Sequence, residues 1–190
     1  MGIPLALAAG GSMQGWSRVR IRWALLLVLA FIVELVVYNP PVDRQPWALT
    51  WGPLLWLMTK VVMLSVFLRN ARDRRGLISP WLLAAVGITL NTVAIALNDG
   101  HMPQSLAARE AVWGAAPVKF DQPGRLYNVA PMTETARLPW LGDTIPEPRW
   151  FPRPNVVSVG DLLLALGICW WTWETTSAVR RQRPARVATA

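Results

Sequence analysis

The stretch Ile78-Ser-Pro-Trp-Leu-Leu-Ala-Ala-Val-Gly-Ile-Thr-Leu-Asn-Thr-Val-Ala-Ile-Ala-Leu97 decides the fold. Its 20 residues carry no charge, and a helix of that length spans about 30 Å, the thickness of a bilayer's hydrocarbon core. Pro80 suits the first turn of a helix, where its missing N–H costs nothing. Within the run, Ala84, Gly87, Asn91, Ala94 and Asn98 recur at helical spacing on one face. Small and polar residues on a single face are what a membrane helix uses to pack closely and hydrogen-bond to its neighbours. The primary reading of Asn91 is a helix–helix seam; the sharper reading puts it at a ligand site.

Working outward, three more apolar runs appear: Trp23 to Tyr38, Ala48 to Leu68, and Val159 to about Ala178. The first needs flanking residues such as Val19 and Ile21 to reach spanning length. The sequence therefore predicts an all-α membrane protein with four transmembrane helices, at about 20–38, 48–68, 78–97 and 159–178, in a single domain. Asn39-Pro40-Pro41-Val42-Asp43 stops the first helix, because successive prolines cannot continue it. Tyr38, Trp47 and Trp51 cluster at that end, where amphipathic rings favour the headgroup layer.

Charge orients the bundle. Arg18, Arg20 and Arg22 precede the first run, Arg69, Arg72, Arg74 and Arg75 with Asp73 follow the second, and Arg180, Arg181, Arg183 and Arg186 follow the fourth. These segments together hold +10 of charge, against +8 for the whole chain. By the positive-inside rule both termini are cytoplasmic, and the stretch from 98 to 155 lies on the opposite side. The basic excess serves orientation and anionic lipid headgroups, so no nucleic-acid partner is expected. Ile3 to Ala9 resembles part of a signal peptide, but no basic residues precede it and no cleavage pattern follows; residues 1 to 15 read as a short surface-lying segment. A lone Cys169 and a lone His101 leave no disulfide framework and no bis-His haem.

The 98–155 stretch holds nine prolines, and one helix is expected in it, around Gln104 to Val112. Trp113, Phe120, Tyr127, Leu138, Trp140, Leu141, Trp150 and Phe151 make it too apolar for a disordered linker. It reads as an ordered, mostly irregular extracytoplasmic cap.

Glu34 and Lys60 are ionisable residues inside spans, and such groups are functional candidates by default. Counting residues from level helix ends sets them about 10 Å apart along the membrane normal, which argues against a direct pair and lets Lys60 snorkel inward. Glu34 instead shares its depth with Asn91. Ser158-Val-Gly-Asp161 is a capping-box pattern at the start of the fourth helix, and its carboxylate is favoured by the helix dipole. Glu34, Asn91, Asn98 and Asp161 thus form a candidate outer polar cluster. Asp99-Gly-His101 could offer a metal two ligands, too few to expect a metal site. No catalytic motif and no cofactor emerge. Trp170, Trp171, Trp173 and Glu174 read as an interfacial belt at the end of the last helix.

Asn98-Asp-Gly-His-Met-Pro103, Leu141-Gly-Asp143 and Asn155-Val-Val-Ser-Val-Gly-Asp161, in this order, resemble an uncharacterised bacterial family of small multi-pass membrane proteins, a domain of unknown function, over residues 20 to 178. Where this chain has Asp99 the family pattern commonly has glycine. The resemblance implies a bacterial cytoplasmic (inner) membrane protein with its motif residues on the outer face, adding His101 and Asp143 to the candidates beside Lys60. It supplies no activity. Two functions are then expected from sequence. The first is a non-catalytic accessory or scaffold subunit docked on a larger membrane complex, with the bilayer and a protein as partners. The alternative is a binding protein for a quinone, lipid or cation in the outer polar cluster.

Overall fold

Helix α4 (Pro80–Leu97) begins where Ser79 Oγ accepts the Leu82 N–H at 3.1 Å, with Pro80 at its first position. It ends at Gly100, whose N–H bonds Ile95 O at 3.0 Å. Gly100 has φ +78, and a Cβ there would collide with Pro53, so glycine is needed on both counts. The computed structural model describes residues 2–72, 79–114 and 124–181. The basic turn with Arg74 and Arg75, the cap segment with Phe120, and Arg183 and Arg186 lie outside the described residues.

Around α4 the chain forms a row of helices. Helix α2 (Ala24–Val37) packs on α3 (Pro46–Ala71), α3 on α4, and α4 on α6 (Val159–Arg181). Leu27 of α2 and Leu164 of α6 pack against the same core cluster of Phe67, Ala84, Ala85 and Ile88. The α4–α6 contact is the closest in the fold. A Cβ on Gly87 would stand 2.5 Å from Gly160 O, and one on Gly167 2.6 Å from Pro80 O. The seam face of α4 therefore meets small residues of α6, and backbones approach where side chains are missing.

The structure is mostly helical, and α3 and α4 are long and apolar enough to cross a membrane. Helix α2 is shorter than its apolar run predicts. It has 14 residues, starting only after Trp23, which adopts a left-handed φ of 60. Only Ala30 and Val37 of α2 are buried, while Leu25, Val28, Phe31, Ile32 and Leu35 are exposed. Helix α6 has 23 residues, but its tryptophan- and threonine-rich second half dilutes its apolarity. Before α2, helix α1 (Gly2–Ala8) docks against α6 rather than lying apart. Ser12 N–H reaches Thr176 O at 2.9 Å and Trp16 Nε1 reaches Thr176 Oγ1 at 3.1 Å. Trp171 of α6 sits edge-on to Trp16 and tilted against Trp81, with ring centroids 5.4 and 5.2 Å away.

The cap is more regular than its sequence predicts. Helix α5 (Leu106–Trp113) is the expected one, capped by Ser105 Oγ on Ala108 N–H. Strand β1 (Met102–Gln104) pairs in parallel with β2 (Val129–Pro131), and β3 (Ile145–Pro146) pairs antiparallel with β4 (Val156–Val157). Strands of two or three residues, three of them containing or touching proline, show no alternation by which to recognise them. Three anchors seat the cap on the helices. Met102 packs with Trp56, Ala94 and Ile95. Leu126 packs with Val37 and Ala48, and its N–H meets Asp43 O at 2.7 Å beside an Asp43–Arg125 ion pair, also 2.7 Å. Asn98 grips Arg137, accepting its N–H and donating to its carbonyl at 2.9 Å each. Trp140 and Trp150, expected to help order the cap, are 64% and 79% exposed.

Candidate functional site

Where the cap meets the helices a cavity of about 410 Å³ remains. Its floor is built by α2 and α3. Lys60 Nζ donates to both carboxylate oxygens of Glu34, at 2.8 and 2.9 Å, and lies 5.1 Å from the centre of the Trp56 ring. Thr59 Oγ1 also donates to Glu34. This ion pair corrects the depth argument from sequence, which assumed level helix ends. The Tyr38 hydroxyl bonds Gly52 O at 3.2 Å, so the end of α2 lies beside the second turn of α3. Helix α3 overshoots its partner, and Lys60 comes level with Glu34 instead of snorkelling away.

One wall is the α4–α6 seam. Asn91 Nδ2 donates to Asp161 Oδ1 at 2.7 Å, and Asn91 Oδ1 accepts from Ser158 Oγ at 2.9 Å. Asp161 Oδ2 accepts the Ser158 backbone N–H at 2.9 Å, while Ser158 Oγ accepts the Asp161 N–H at 3.0 Å. The local capping box is therefore formed, and Asn91 extends it across to the neighbouring helix. Glycine at 160 is required for this, since a Cβ there would overlap Asn91 Oδ1.

The roof belongs to the cap. Gln104, at the end of β1, bridges to Asp143 through backbone pairing, with Asp143 N–H on Pro103 O at 2.8 Å. Gln104 Nε2 approaches Asp143 Oδ2 at 3.4 Å, and Arg109 approaches Gln104 Oε1 at 3.5 Å while lying over the Trp113 ring. Among the described residues the Asp143 side chain has no other hydrogen-bond partner, and Asp143 is 7% exposed. Burial raises its carboxyl from 3.8 to about 7, the Asp161 carboxylate adds to the rise, and the Gln104 bond opposes it. Asn128 and Asn155 line the cavity where it meets solvent, both exposed.

Of the residues singled out from sequence, Glu34, Lys60, Asn91, Asp143 and Asp161 all line this cavity. Asn98 does not. It pins the cap, bonding Ala94 O and Arg137, on a separate surface hollow that His101 also lines. His101 Nδ1 lies 3.0 Å from Asp99 O and belongs to that outer surface. Sequence reasoning missed Gln104, Arg109, Ser158 as a link to Asn91, and the Trp56 and Trp113 walls. Only Ser158 had a readable local signal; Gln104 reaches the cavity through the cap's strand pairing, Arg109 and Trp113 through the placement of α5, and Trp56 from α3.

Residues 18–173 match the model of a family of unknown function, DUF5317. No curated protein and no solved structure matches the chain.

Proposed function

The chain belongs to the DUF5317 family of unknown function, and we propose that it is a four-span membrane protein whose cap-side cavity binds a small molecule. The observation that carries this reading is the convergence of Glu34, Lys60, Arg109, Asp143 and Asp161 on one cavity of ligand size. Ligand sites are typically 300–1,000 Å³ with a few placed polar groups, and charged groups at the depth of membrane helices are costly unless function retains them.

Four spans are supported by the lateral surface. Alongside α3 and α4, helices α2 and α6 expose large apolar side chains such as Phe31, Leu35, Leu162 and Leu166. Apolar surface on this scale needs a non-aqueous neighbour. The +10 of the terminal and 69–75 segments supports placing them in the cytoplasm with the cap outside, and the motif resemblance supports a bacterial inner membrane. The cavity then faces the extracytoplasmic side. It offers charge and hydrogen bonds of the kind that hold a small polar molecule, which supports binding. The exposed Trp140 and Trp150 favour the second reading, an accessory subunit whose cap meets a protein partner.

Native mass spectrometry of the full-length protein from mild detergent tests the choice. A bound small molecule, lost in an Asn128→Trp variant that blocks the cavity mouth, is the expected result. A stoichiometric second polypeptide without any such adduct would instead support the accessory subunit.

A further inference from the structure

The ionisable groups around the cavity do not balance. Glu34 and Lys60 neutralise each other at 2.8 Å. That leaves Asp143, Asp161 and Arg109 facing the same space, one positive charge short when both carboxyls are ionised. Asp161 is well provided for, with donors from Asn91 and from Ser158. Asp143 is not. It is 93% buried by its 7% exposure, with one side-chain hydrogen bond at 3.4 Å, longer than a good N–H···O bond. A buried carboxyl so poorly partnered costs free energy unless it is neutral or meets a donor.

Resting on the ligand-site reading above, we propose that the cavity binds a small organic monocation, a primary ammonium group, whose N–H bonds are received by Asp143 and by the side-chain amide oxygens of Asn128 and Asn155, which line the cavity and whose backbone carbonyls are engaged within the cap. Size separates this from a metal ion. About 410 Å³ is many times the roughly 30 Å³ share of one water, so a bare ion leaves most of it unfilled. The carbon skeleton of an amine fits against Trp56, Ile95 and Met102, which also line it. A protonated Asp143 adds no charge to the empty site, and an ionised Asp143 with the ammonium adds none to the filled one. Binding therefore breaks the Asp143 O–H bond and releases that proton to solvent, while the ammonium keeps its own. The charged groups facing this exchange are Glu34, Lys60, Arg109 and Asp161. The same ammonium chemistry is offered by a soluble amine or by a lipid headgroup.

The test uses full-length protein in neutral detergent, titrated calorimetrically with ethanolamine at pH 6, 7 and 8, with ethylene glycol and sodium chloride as neutral and inorganic controls. Ethanolamine should bind with an apparent Kd that improves up to tenfold per pH unit below about pH 7 and then levels. Titration in two buffers of different ionisation enthalpy should report close to one proton released per amine at pH 6. Asp143→Asn should weaken binding at least tenfold and abolish the pH dependence; the proton count on the native protein serves if that variant misfolds. Melting in nanodiscs assigns the source: selective stabilisation by phosphatidylethanolamine over phosphatidylglycerol means a lipid headgroup, and stabilisation by ethanolamine alone means a soluble amine. Glycol or sodium binding as well as ethanolamine overturns the proposal, as does amine binding without proton release. If no amine or lipid acts but the Asn128-sensitive adduct is present, the ammonium assignment falls and the ligand site stands. If both are absent, both fall.

Discussion

Replacing Gly160 by Ala should destabilise the protein although it adds a better helix former. The Cβ would stand 2.7 Å from Gly87 O and overlap Asn91 Oδ1. Asn91 can rotate away only by breaking its bonds to Asp161 and Ser158. The Gly87 carbonyl is held within α4 and cannot follow. Relief therefore requires α4 and α6 to part by on the order of 0.5–1 Å to restore ordinary carbon contacts. Overpacking of this kind costs about 1–3 kcal/mol, and each lost interhelical hydrogen bond in a membrane about 0.6 kcal/mol. The opposing gain from Gly to Ala is at most about 1 kcal/mol in a helix interior, and less near the N-terminus where Gly160 lies. A net loss of roughly 1–3 kcal/mol remains, which at about 2–4 °C per kcal/mol lowers Tm by roughly 2–12 °C. Thermal melts in detergent with a stabilised reference variant give the number, and an Asn91→Ala background should shrink the loss because the overlapping oxygen is gone. An unchanged or raised Tm for Gly160→Ala would refute the close seam as the basis of the α4–α6 contact.

Lys60→Met leaves the half-buried Glu34 without its cation and should cost about 1–3 kcal/mol, whereas Glu34→Leu with Lys60→Met should recover most of that loss; chemical denaturation of both variants checks the pair, and equal losses would count against it. Because folding raises the Asp143 carboxyl from 3.8 to about 7, the folded state holds a proton that the unfolded state gives up. Its contribution is complete below pH 3.8 and fades as pH rises to about 7, by up to about 4 kcal/mol. Asp143→Asn should therefore melt higher than the native protein at pH 8 and similarly at pH 4, and a constant difference across pH would disprove the buried-carboxyl assignment. In sealed cells of a Cys169→Ser background, an impermeant thiol reagent should modify cysteine at the exposed Thr135 but not at Arg74 or Arg183; labelling at Arg183 would rule out cytoplasmic termini.

What the sequence determined by itself was what short-range physics controls. Hydropathy marked α3 and α4 because a helix satisfies its own backbone, so composition alone states the solvent it prefers. Pro80, and Ser158 with Asp161, marked helix starts because first-turn and capping preferences span only a few residues; the Ser105 cap of α5 emerged only from the structure. The seam through Gly87 and Asn91 was legible because helical spacing puts those residues on one face whatever they meet. Which groups share a site was another matter. Glu34 reaches Lys60 only because α3 overshoots α2, an offset set by the packing of Tyr38 against Gly52 and Trp56. Asp143 reaches the cavity only because a strand pairing of a few residues lays it beside Gln104, and Asn98 leaves the cluster because the cap claims it at Arg137. Each of these depends on how far one element slides past another, by a few ångströms, and that sum of many packing contacts is not written in any local stretch of the chain.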